Sequence, residues 1–525
     1  MNFSTLDFAI FIGYCVLIIA VGIWVSREKK GHIKNSTDYF LASKSLPWWA
    51  IGASLIASNI SAEQFIGMSG SGFAIGLGIA SYEFMAAATL IIVAKFFLPI
   101  YIKEGIFTMP QFLKLRYDDR IRTSLAIFWI MLYIFVNLTT VLYLSALALS
   151  VVFGVSTMWA IIGLAVVAVS YSIYGGLKAV AWTDVIQVVF LILGGLVTTF
   201  LALDAVSGGD GPMRGMAMLL EKAPEKFDMI LSKENPFYKD LPGMTVLFGG
   251  MWIANISYWG FNQYIVQRAL AAKSLKEVQW GLVFAAFLKL LIPLVVVIPG
   301  IAAFALNAEI SRYDEAYPWL LSNLVPTGLK GLAFAALMAA ALSSLSSMMN
   351  STATIFTIDI YKAHLKPDAN EKQLVIIGRL VSLTAIIIAV MVAEPLLGGE
   401  EQIFQFIQKY TGYVSPGIVV LFVFGLFWKK ATSNAALATA IASVPFSIII
   451  DQLFPAMPFL DQMGLVFLLL ATLMVVFSLY ENKARGILPT NAIQYDRSLF
   501  KTDMIFNVAS FAIVLALAAV YIIFW

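Results

Sequence analysis

Residues 54–64 read Ser-Leu-Ile-Ala-Ser-Asn-Ile-Ser-Ala-Glu-Gln, in the middle of an apolar segment, 46–70, that is long enough to cross a bilayer. Six of these eleven residues are polar, and one of them, Glu63, is ionisable. Polar groups are costly in hydrocarbon unless the helix is interrupted there and its side chains face protein, ions or a ligand. The stretch therefore predicts a broken membrane helix.

The composition of the 525-residue chain is that of a membrane protein, with 60% hydrophobic and 12% charged residues. Soluble domains average about 25% charged residues. We expect a single transmembrane domain over residues 1–525, with the lipid bilayer as its surroundings. The net charge of +3 is too small to indicate a nucleic-acid partner.

Few residues are available for catalysis or for a resident metal. Cys15 is the only cysteine, and the two histidines, His32 and His364, lie far apart in polar loops. These residues supply neither a zinc site nor a Ser/His/Asp set, and no nucleotide-binding pattern follows a predicted strand. We therefore expect neither an enzyme nor a primary pump, and no organic cofactor.

Fourteen apolar segments are long enough to span a membrane, so we predict an all-α protein with about fourteen transmembrane helices. In chain order the segments are 5–25, 46–70, 76–101, 122–152, 156–174, 181–204, 245–267, 277–306, 330–360, 373–395, 403–427, 431–453, 460–480 and 503–524.

The charges in the loops predict the orientation of the chain. If the loop after the first segment is cytoplasmic, cytoplasmic loops hold 23 Lys and Arg residues and external loops hold 7. The positive-inside rule then places both termini outside. The basic cluster Arg27, Lys29 and Lys30 follows the first apolar run instead of preceding it, which indicates a retained helix and not a cleaved signal peptide.

The tripeptide Asn-Ile-Ser occurs at 59–61 and again at 255–257, in segments that cross the membrane in opposite directions. A chance match is the alternative, but two interrupted helices running antiparallel are typical of the inverted repeats of secondary transporters. We predict one extra N-terminal helix, two five-helix repeats and three C-terminal helices, at 5–25, 46–204, 245–427 and 431–524.

Two charges fall inside predicted spans, Glu83 in the third and Lys289 in the eighth. Each costs roughly 2.5–3.5 kcal/mol at the bilayer centre, so each should face a cavity or a partner. A purely structural ion pair would satisfy this requirement. A role in binding a ligand with many hydroxyl groups is favoured because four amides lie in the same layer, Asn59, Gln64, Asn255 and Gln408.

Aromatic and hydroxyl side chains add two further features. Tyr258 and Trp259 follow the second Asn-Ile-Ser and could stack on the apolar face of a sugar ring, or simply pack in the core. Ser343 and Ser344 offer hydroxyl oxygens suited to a hard cation, although small residues also allow close helix packing. Asp184 could attract a leaving cation or could be an interfacial charge.

The chain resembles the sodium:solute symporter family over nearly its whole length. The most specific stretches are 54–71, 171–187, 255–268 and 350–361. The resemblance implies a LeuT-type fold with two interrupted helices, in a multi-pass protein of a bacterial inner membrane that takes up a solute together with sodium.

Roles for individual residues also follow from the resemblance. It implies that hydrogen bonds to a hexose come from Asn59, Gln64, Glu83, Asn255, Lys289 and Gln408. It implies that Tyr258 stacks on the sugar as the inner gate, while Met68, Tyr82 and Phe404 close the outer side. It implies sodium ligands in the carbonyls of Ala57, Ile60 and Ala340 and the hydroxyls of Ser343 and Ser344, with Asp184 on the sodium exit route.

Two positions depart from the family pattern: Ala86 replaces a serine that contacts sugar, and Ser257 replaces a tyrosine before the gate. The exact sugar is therefore open, and another polyol such as inositol is the alternative substrate. A passive channel and a membrane sensor are the alternatives from other functional classes. Glu63 receives no role.

Overall fold

The computed structural model describes residues 4–27, 34–61, 63–397, 403–485 and 489–525. Lys29, Lys30, His32 and the side chain of Glu63 lie outside the described part of the chain. The described residues form helices and no strand; Leu46 and Ala272 make a single isolated β-bridge.

The first half, through the end of the sixth predicted span, contains eleven α-helices. They are α1 (Thr5–Ser26), α2 (Ser36–Leu41), α3 (Trp48–Asn59), α4 (Ser69–Ala74), α5 (Ser81–Ile92), α6 (Leu98–Lys103), α7 (Met109–Arg116), α8 (Asp119–Leu132), α9 (Thr139–Phe153), α10 (Thr157–Gly175) and α11 (Leu177–Ser207).

The remainder of the described chain contains thirteen more. They are α12 (Pro212–Lys222), α13 (Thr245–Phe248), α14 (Gly250–Ile256), α15 (Gln263–Leu270), α16 (Leu275–Ala305), α17 (Ala316–Asn323), α18 (Lys330–Ile355), α19 (Glu371–Leu397), α20 (Ile403–Gly412), α21 (Ser415–Phe427), α22 (Ser433–Leu453), α23 (Phe459–Arg485) and α24 (Met504–Ile523). Five π-helical turns continue or join these helices: Glu63–Met68, Val93–Phe97, Tyr133–Leu138, Ser257–Phe261 and Phe356–Leu365.

Eleven continuous helical stretches within the described residues are long and apolar enough to cross a membrane. Each coincides with one of the predicted segments, which confirms an all-helical, multi-pass architecture. The other three predicted segments, 46–70, 245–267 and 403–427, each hold two or more shorter helices. The total of fourteen crossings stays a prediction.

The two predicted helix breaks are present. The first follows α3, where the backbone at Ile60 turns to ψ 92°. The second lies at Asn262, with ψ 126°, between the π-helical turn and α15. A third break, at 413–414, separates α20 from α21 and was not predicted. Its cause is visible in the sequence, because Pro416 cannot continue a preceding helix and Gly412 is a poor helix former.

The two broken segments lie side by side and run in opposite directions. Hydrogen bonds at three levels join them, pairing Leu46 with Ala271 (3.1 Å), Ser54 with Arg268 (2.8 Å) and Asn59 with Tyr258 (3.0 Å). Residue numbers rise along one segment as they fall along the other. This is the arrangement that inverted repeats require. The boundaries of the repeats, 46–204 and 245–427, stay a prediction.

The extra helix α1 is fastened to the bundle by the Asp7 side chain, which is fully buried. Its Oδ1 accepts hydrogen bonds from the backbone N–H groups of Gly328 and Gly331, both at 2.9 Å. The same carboxylate accepts the Ser4 N–H and hydroxyl, which caps α1. A carboxylate at a helix N-terminus is also favoured by the helix dipole.

Asp7→Ala should therefore destabilise the folded protein by about 2–4 kcal/mol, since two buried N–H groups would lose a charged acceptor. Asp210→Ala is the matched control because the Asp210–Arg214 pair has side chains that are 59% and 67% exposed. That change should cost less than about 1 kcal/mol. Thermal unfolding of the detergent-purified proteins measures both, and equal midpoints for the two variants would contradict the anchoring role.

Candidate functional site

A single cavity collects side chains from both broken segments and from the helices around them. It contains every residue that the sequence assigned to substrate or to gates. These are Asn59, Gln64, Met68, Tyr82, Glu83, Asn255, Tyr258, Lys289, Phe404 and Gln408. Residues more than 300 positions apart in the chain are thus brought to one place.

The charged centre of this cavity is the Lys289 ammonium group, which is fully buried on α16. Lys289 donates to the Glu83 carboxylate on α5 and to the Asn59 Oδ1 at the end of α3. The ammonium also lies 5.1 Å from the centre of the Trp259 ring. Both residues of the ion pair are therefore also part of the cavity lining. A neutral pair surrounded by amides can be buried without leaving an isolated charge, and it presents both donors and acceptors to a ligand.

Tyr258 lies beside this centre in the cavity lining. Its hydroxyl accepts a hydrogen bond from the Asn59 Nδ2 at 3.0 Å and another from the Tyr264 hydroxyl. Its ring contacts Trp259 and Tyr264 edge-on, at centroid distances of 5.2 and 5.7 Å. The Tyr258 hydroxyl is thus hydrogen-bonded to one residue from each broken segment. Its ring is half-buried in the cavity wall.

On the opposite wall, the rings of Tyr82 and Phe404 meet edge-on at 5.4 Å. Gly67 allows this closure, because a Cβ there would lie 2.9 Å from the Cβ of Phe404. Gln64 stabilises the helix break itself, since its Oε1 accepts the N–H of Ser61 at 3.0 Å. The Gln64 Nε2 is then the atom through which this residue could donate to a ligand.

The predicted cation ligands lie where α3 meets α18. Ala57, Ile60, Ala340, Ser343 and Ser344 are all fully buried. The Ser344 hydroxyl donates to the carbonyl of Ser58 at 3.0 Å and so joins the two helices. Since α3 ends at Asn59, the Ser61 N–H bonds to the Asn59 carbonyl at 3.0 Å, and the Ala57 carbonyl loses its usual helical donor. Hydroxyl and carbonyl oxygens at this junction form a donor set suited to a hard cation.

Asp184 is not an interfacial charge, so that alternative is wrong. Its carboxylate is fully buried and accepts hydrogen bonds from three serines: Ser54 (2.5 Å), Ser343 (2.5 Å) and Ser58 (3.2 Å). Asp184 is therefore hydrogen-bonded directly to one of the predicted cation ligands, Ser343. The reason is that α11 packs against both α3 and α18 at this depth.

Arg268 is the cationic partner of Asp184, at 3.4 Å, and was missed as a site residue. Arg268 lies just beyond the apolar run 245–267, where the sequence predicts a charge in a cytoplasmic loop. The side chain is nevertheless fully buried. The signal was available, because a carboxylate inside a span needs a cation nearby.

Several further residues line the cavity although the sequence analysis did not select them for it. Asn137 comes from the π-helical turn in the fourth span, and its buried Oδ1 has no hydrogen-bond partner in the protein. A lone amide in the middle of an apolar span was the signal for this residue. The others include Trp129, Asn262, Tyr264, Thr411 and Ser415. Ala86 and Ser257, the two departures from the family pattern, also lie in the lining.

Comparison with known proteins agrees with this geometry. The sequence profile of the sodium:solute symporter family matches residues 39–443. The sodium/glucose cotransporter of Vibrio parahaemolyticus is 52% identical, over 99% of this chain and 98% of its own length. The human sodium/myo-inositol cotransporter 2 is 35% identical, over 82% of this chain and 67% of its own.

Among solved structures, a Na+-coupled sialic acid symporter in a substrate-bound, outward-open state superposes with a TM-score of 0.79. It is 25% identical to this chain, and the match covers 91% of this chain and 98% of that structure. The fold is accordingly LeuT-like. On the family profile and on the full-length similarity to its bacterial relative, the chain belongs to the sodium:solute symporter family.

Proposed function

We propose that this protein is a symporter that imports a hexose together with sodium by alternating access. The observation that carries this proposal is the junction of Ser58 and Asn59, consecutive residues at the first helix break. The Ser58 carbonyl accepts from Ser344 on the cation side, and the Asn59 side chain binds Lys289 and Tyr258 on the cavity side. Two ligands bound there would act on the same turn of the chain.

In this proposal the sugar hydroxyls are bound by the cavity's charged pair and amides: Asn59, Gln64, Glu83, Asn255, Lys289 and Gln408. A carboxylate, an ammonium group and several amides distinguish hydroxyl patterns well, because a ligand that lacks one hydroxyl leaves a buried group unpaired. Tyr258 stacks on the apolar ring face and closes the inner side, while Met68, Tyr82 and Phe404 close the outer side.

Sodium is the co-transported ion, bound by the carbonyls of Ala57, Ile60 and Ala340 and the hydroxyls of Ser343 and Ser344. Unwound backbone carbonyls are common sodium ligands in such folds. Because these ligands come from α3 and from α18, sodium would stabilise the arrangement in which the two helices are in contact. Asp184 lies beside the site and would receive the ion on its way out.

The membrane placement follows from the loop charges and from the bacterial relative. We place the protein in a bacterial inner membrane with both termini external, and we expect it to act as a transporter and not as an enzyme. Inositol remains the second candidate substrate, because the sodium/myo-inositol cotransporters are among its relatives. The small Ala86 and Ser257 side chains in the cavity wall allow a change in substrate preference.

The first test is sodium dependence. Proteoliposomes containing the purified protein should accumulate radiolabelled hexose when an inward sodium gradient is imposed. Replacing sodium by choline should abolish accumulation, since a bulky quaternary ammonium ion cannot replace a small hard cation at the α3–α18 oxygen set. Uptake that continues unchanged in choline would refute sodium coupling.

A second test separates binding residues from residues that are merely buried. Glu83→Gln and Gln64→Ala should each reduce hexose uptake by at least about 100-fold, which corresponds to about 2.7 kcal/mol of lost binding. Asp359→Asn is the matched control for Glu83→Gln. Asp359 is also a buried carboxylate paired with a buried cation, Arg122 at 2.7 Å, but neither residue is part of the cavity lining.

The control variant should retain at least half of the wild-type uptake after correction for protein amount. Wild-type uptake by the Gln64 and Glu83 variants, with normal insertion, would remove these two residues from the site.

The third test concerns substrate choice. Unlabelled galactose, glucose, myo-inositol, proline and sialic acid are added in turn to compete with hexose uptake. Hexoses should compete best, because the cavity's aromatic face and charged pair fit a hydroxylated ring. Stronger competition by inositol than by either hexose would favour the alternative substrate.

A further inference from the structure

Arg268 is a buried charged side chain that binds several helices at once. It belongs to α15, the inner half of the second broken segment, and it is fully buried. It contacts three other transport elements: Ser54 on α3 at 2.8 Å, Asp184 on α11 at 3.4 Å and Ser347 on α18. The guanidinium therefore holds α15 against the helices that carry the proposed sodium site.

The Arg268–Asp184 contact is loose for a buried ion pair. Asp184 is already bonded to the hydroxyls of Ser54 and Ser343 at 2.5 Å each, and the guanidinium approaches only to 3.4 Å. Among the described residues, a second buried Arg–Asp pair, Arg122–Asp359, has an N–O distance of 2.7 Å. Charge-assisted N–H···O bonds are normally about 2.7–2.9 Å long. Asp184 therefore holds Arg268 less closely than Asp359 holds Arg122.

The second link leads from Arg268 to the proposed inner gate. Arg268 donates to the backbone carbonyl of Tyr264 one turn earlier in α15. The Tyr264 hydroxyl in turn donates to the Tyr258 hydroxyl, and the two rings are in edge-on contact. Any displacement of α15 consequently moves the residue that supports Tyr258.

We propose that Arg268 is the positioning residue that joins sodium release to the opening of the inner gate. A sodium ion that leaves along Asp184 competes with the guanidinium for the carboxylate and repels it, because the two cations carry charges of the same sign. Release of Arg268 frees α15, and Tyr264 then ceases to hold Tyr258 across the cavity. This inference rests on the proposed sodium-coupled function and assigns the coupling within it.

The test compares Arg268→Gln with Arg122→Gln in proteoliposomes. Each change removes one buried guanidinium that is paired with a buried aspartate, so their structural costs are matched. Only Arg268→Gln should raise sugar efflux in sodium-free buffer, by about ten-fold, as expected for loss of one charged hydrogen bond. Sodium-driven accumulation should fall with it. Arg122→Gln should keep strict sodium dependence.

Tyr264→Phe is the second variant, and it decides the question if Arg268→Gln does not insert. It removes only the hydroxyl that links α15 to Tyr258, and it should produce the same leak with unchanged apparent sodium affinity. If a variant inserts into the membrane and its sugar transport still depends strictly on sodium, the proposal is overturned.

A conformational measurement does not depend on sugar transport. Cys15 is the sole cysteine, so Cys15→Ser gives a background in which Ser257→Cys reports access to the cavity. With saturating sodium, a maleimide added from the cytoplasmic side should label Ser257→Cys slowly, and adding Arg268→Gln should speed labelling about ten-fold. Unchanged labelling would overturn the proposal. If instead the wild-type protein shows no sodium-driven accumulation, it is the proposed function that fails.

Discussion

The end of α3 at Asn59 is the constraint on which the rest of the structure depends. In a membrane interior, backbone N–H and C=O groups must find partners within the protein. The helical ladder ends with the bond from the Ile60 N–H to the Ile56 carbonyl, and the next N–H, that of Ser61, turns away from the Ala57 carbonyl to that of Asn59. Ser344 supplies a donor to the Ser58 carbonyl, and Gln64 supplies an acceptor to the Ser61 N–H. The side chains that satisfy the break therefore also build the site.

Two buried ion pairs flank this break, and their placement explains how charge is tolerated there. Lys289–Glu83 lies on the cavity side and bonds to Asn59, while Arg268–Asp184 lies on the other side and bonds to Ser54. Each pair is neutral overall and is surrounded by hydroxyl or amide groups, so neither leaves an isolated charge in hydrocarbon. Three polar residues of the segment 54–64 contact these pairs: Ser54, Ser58 and Asn59.

The sequence was sufficient to predict the features that depend on polarity within spans. Both helix breaks and the meeting of Glu83, Lys289 and the four amides follow from the cost of polar groups in lipid, and the antiparallel relation of the two segments follows from the loop charges. Features that depend on lateral packing were not predictable in the same way. Arg268 and Asp7 stand at or near the ends of apolar runs, where a charge normally reaches the membrane surface. Only the neighbouring helices show that both are buried. The break before Pro416 could have been predicted from the proline, but the apolar run 403–427 is long enough to be interpreted as one span.

Coupling between two ligands requires that each binds one conformation better than another, and the effect is reciprocal. The oxygens proposed for sodium come from α3 and α18. The ion should therefore bind best to the conformation in which these two helices are in contact. The groups proposed for the sugar come from α3, α5, α14, α16 and α20, so the sugar discriminates according to how closely these helices converge. Ala57, a proposed sodium ligand, and Asn59, a proposed sugar ligand, make α3 the element common to both sets, and Ser58 lies between them in the chain. A change at Ser58 that altered sodium affinity alone would need Asn59 to stay fixed, yet the two residues share one peptide bond. On the proposed sites, the backbone at the break is therefore what links the two ligands, and the side chains select the ion and the sugar.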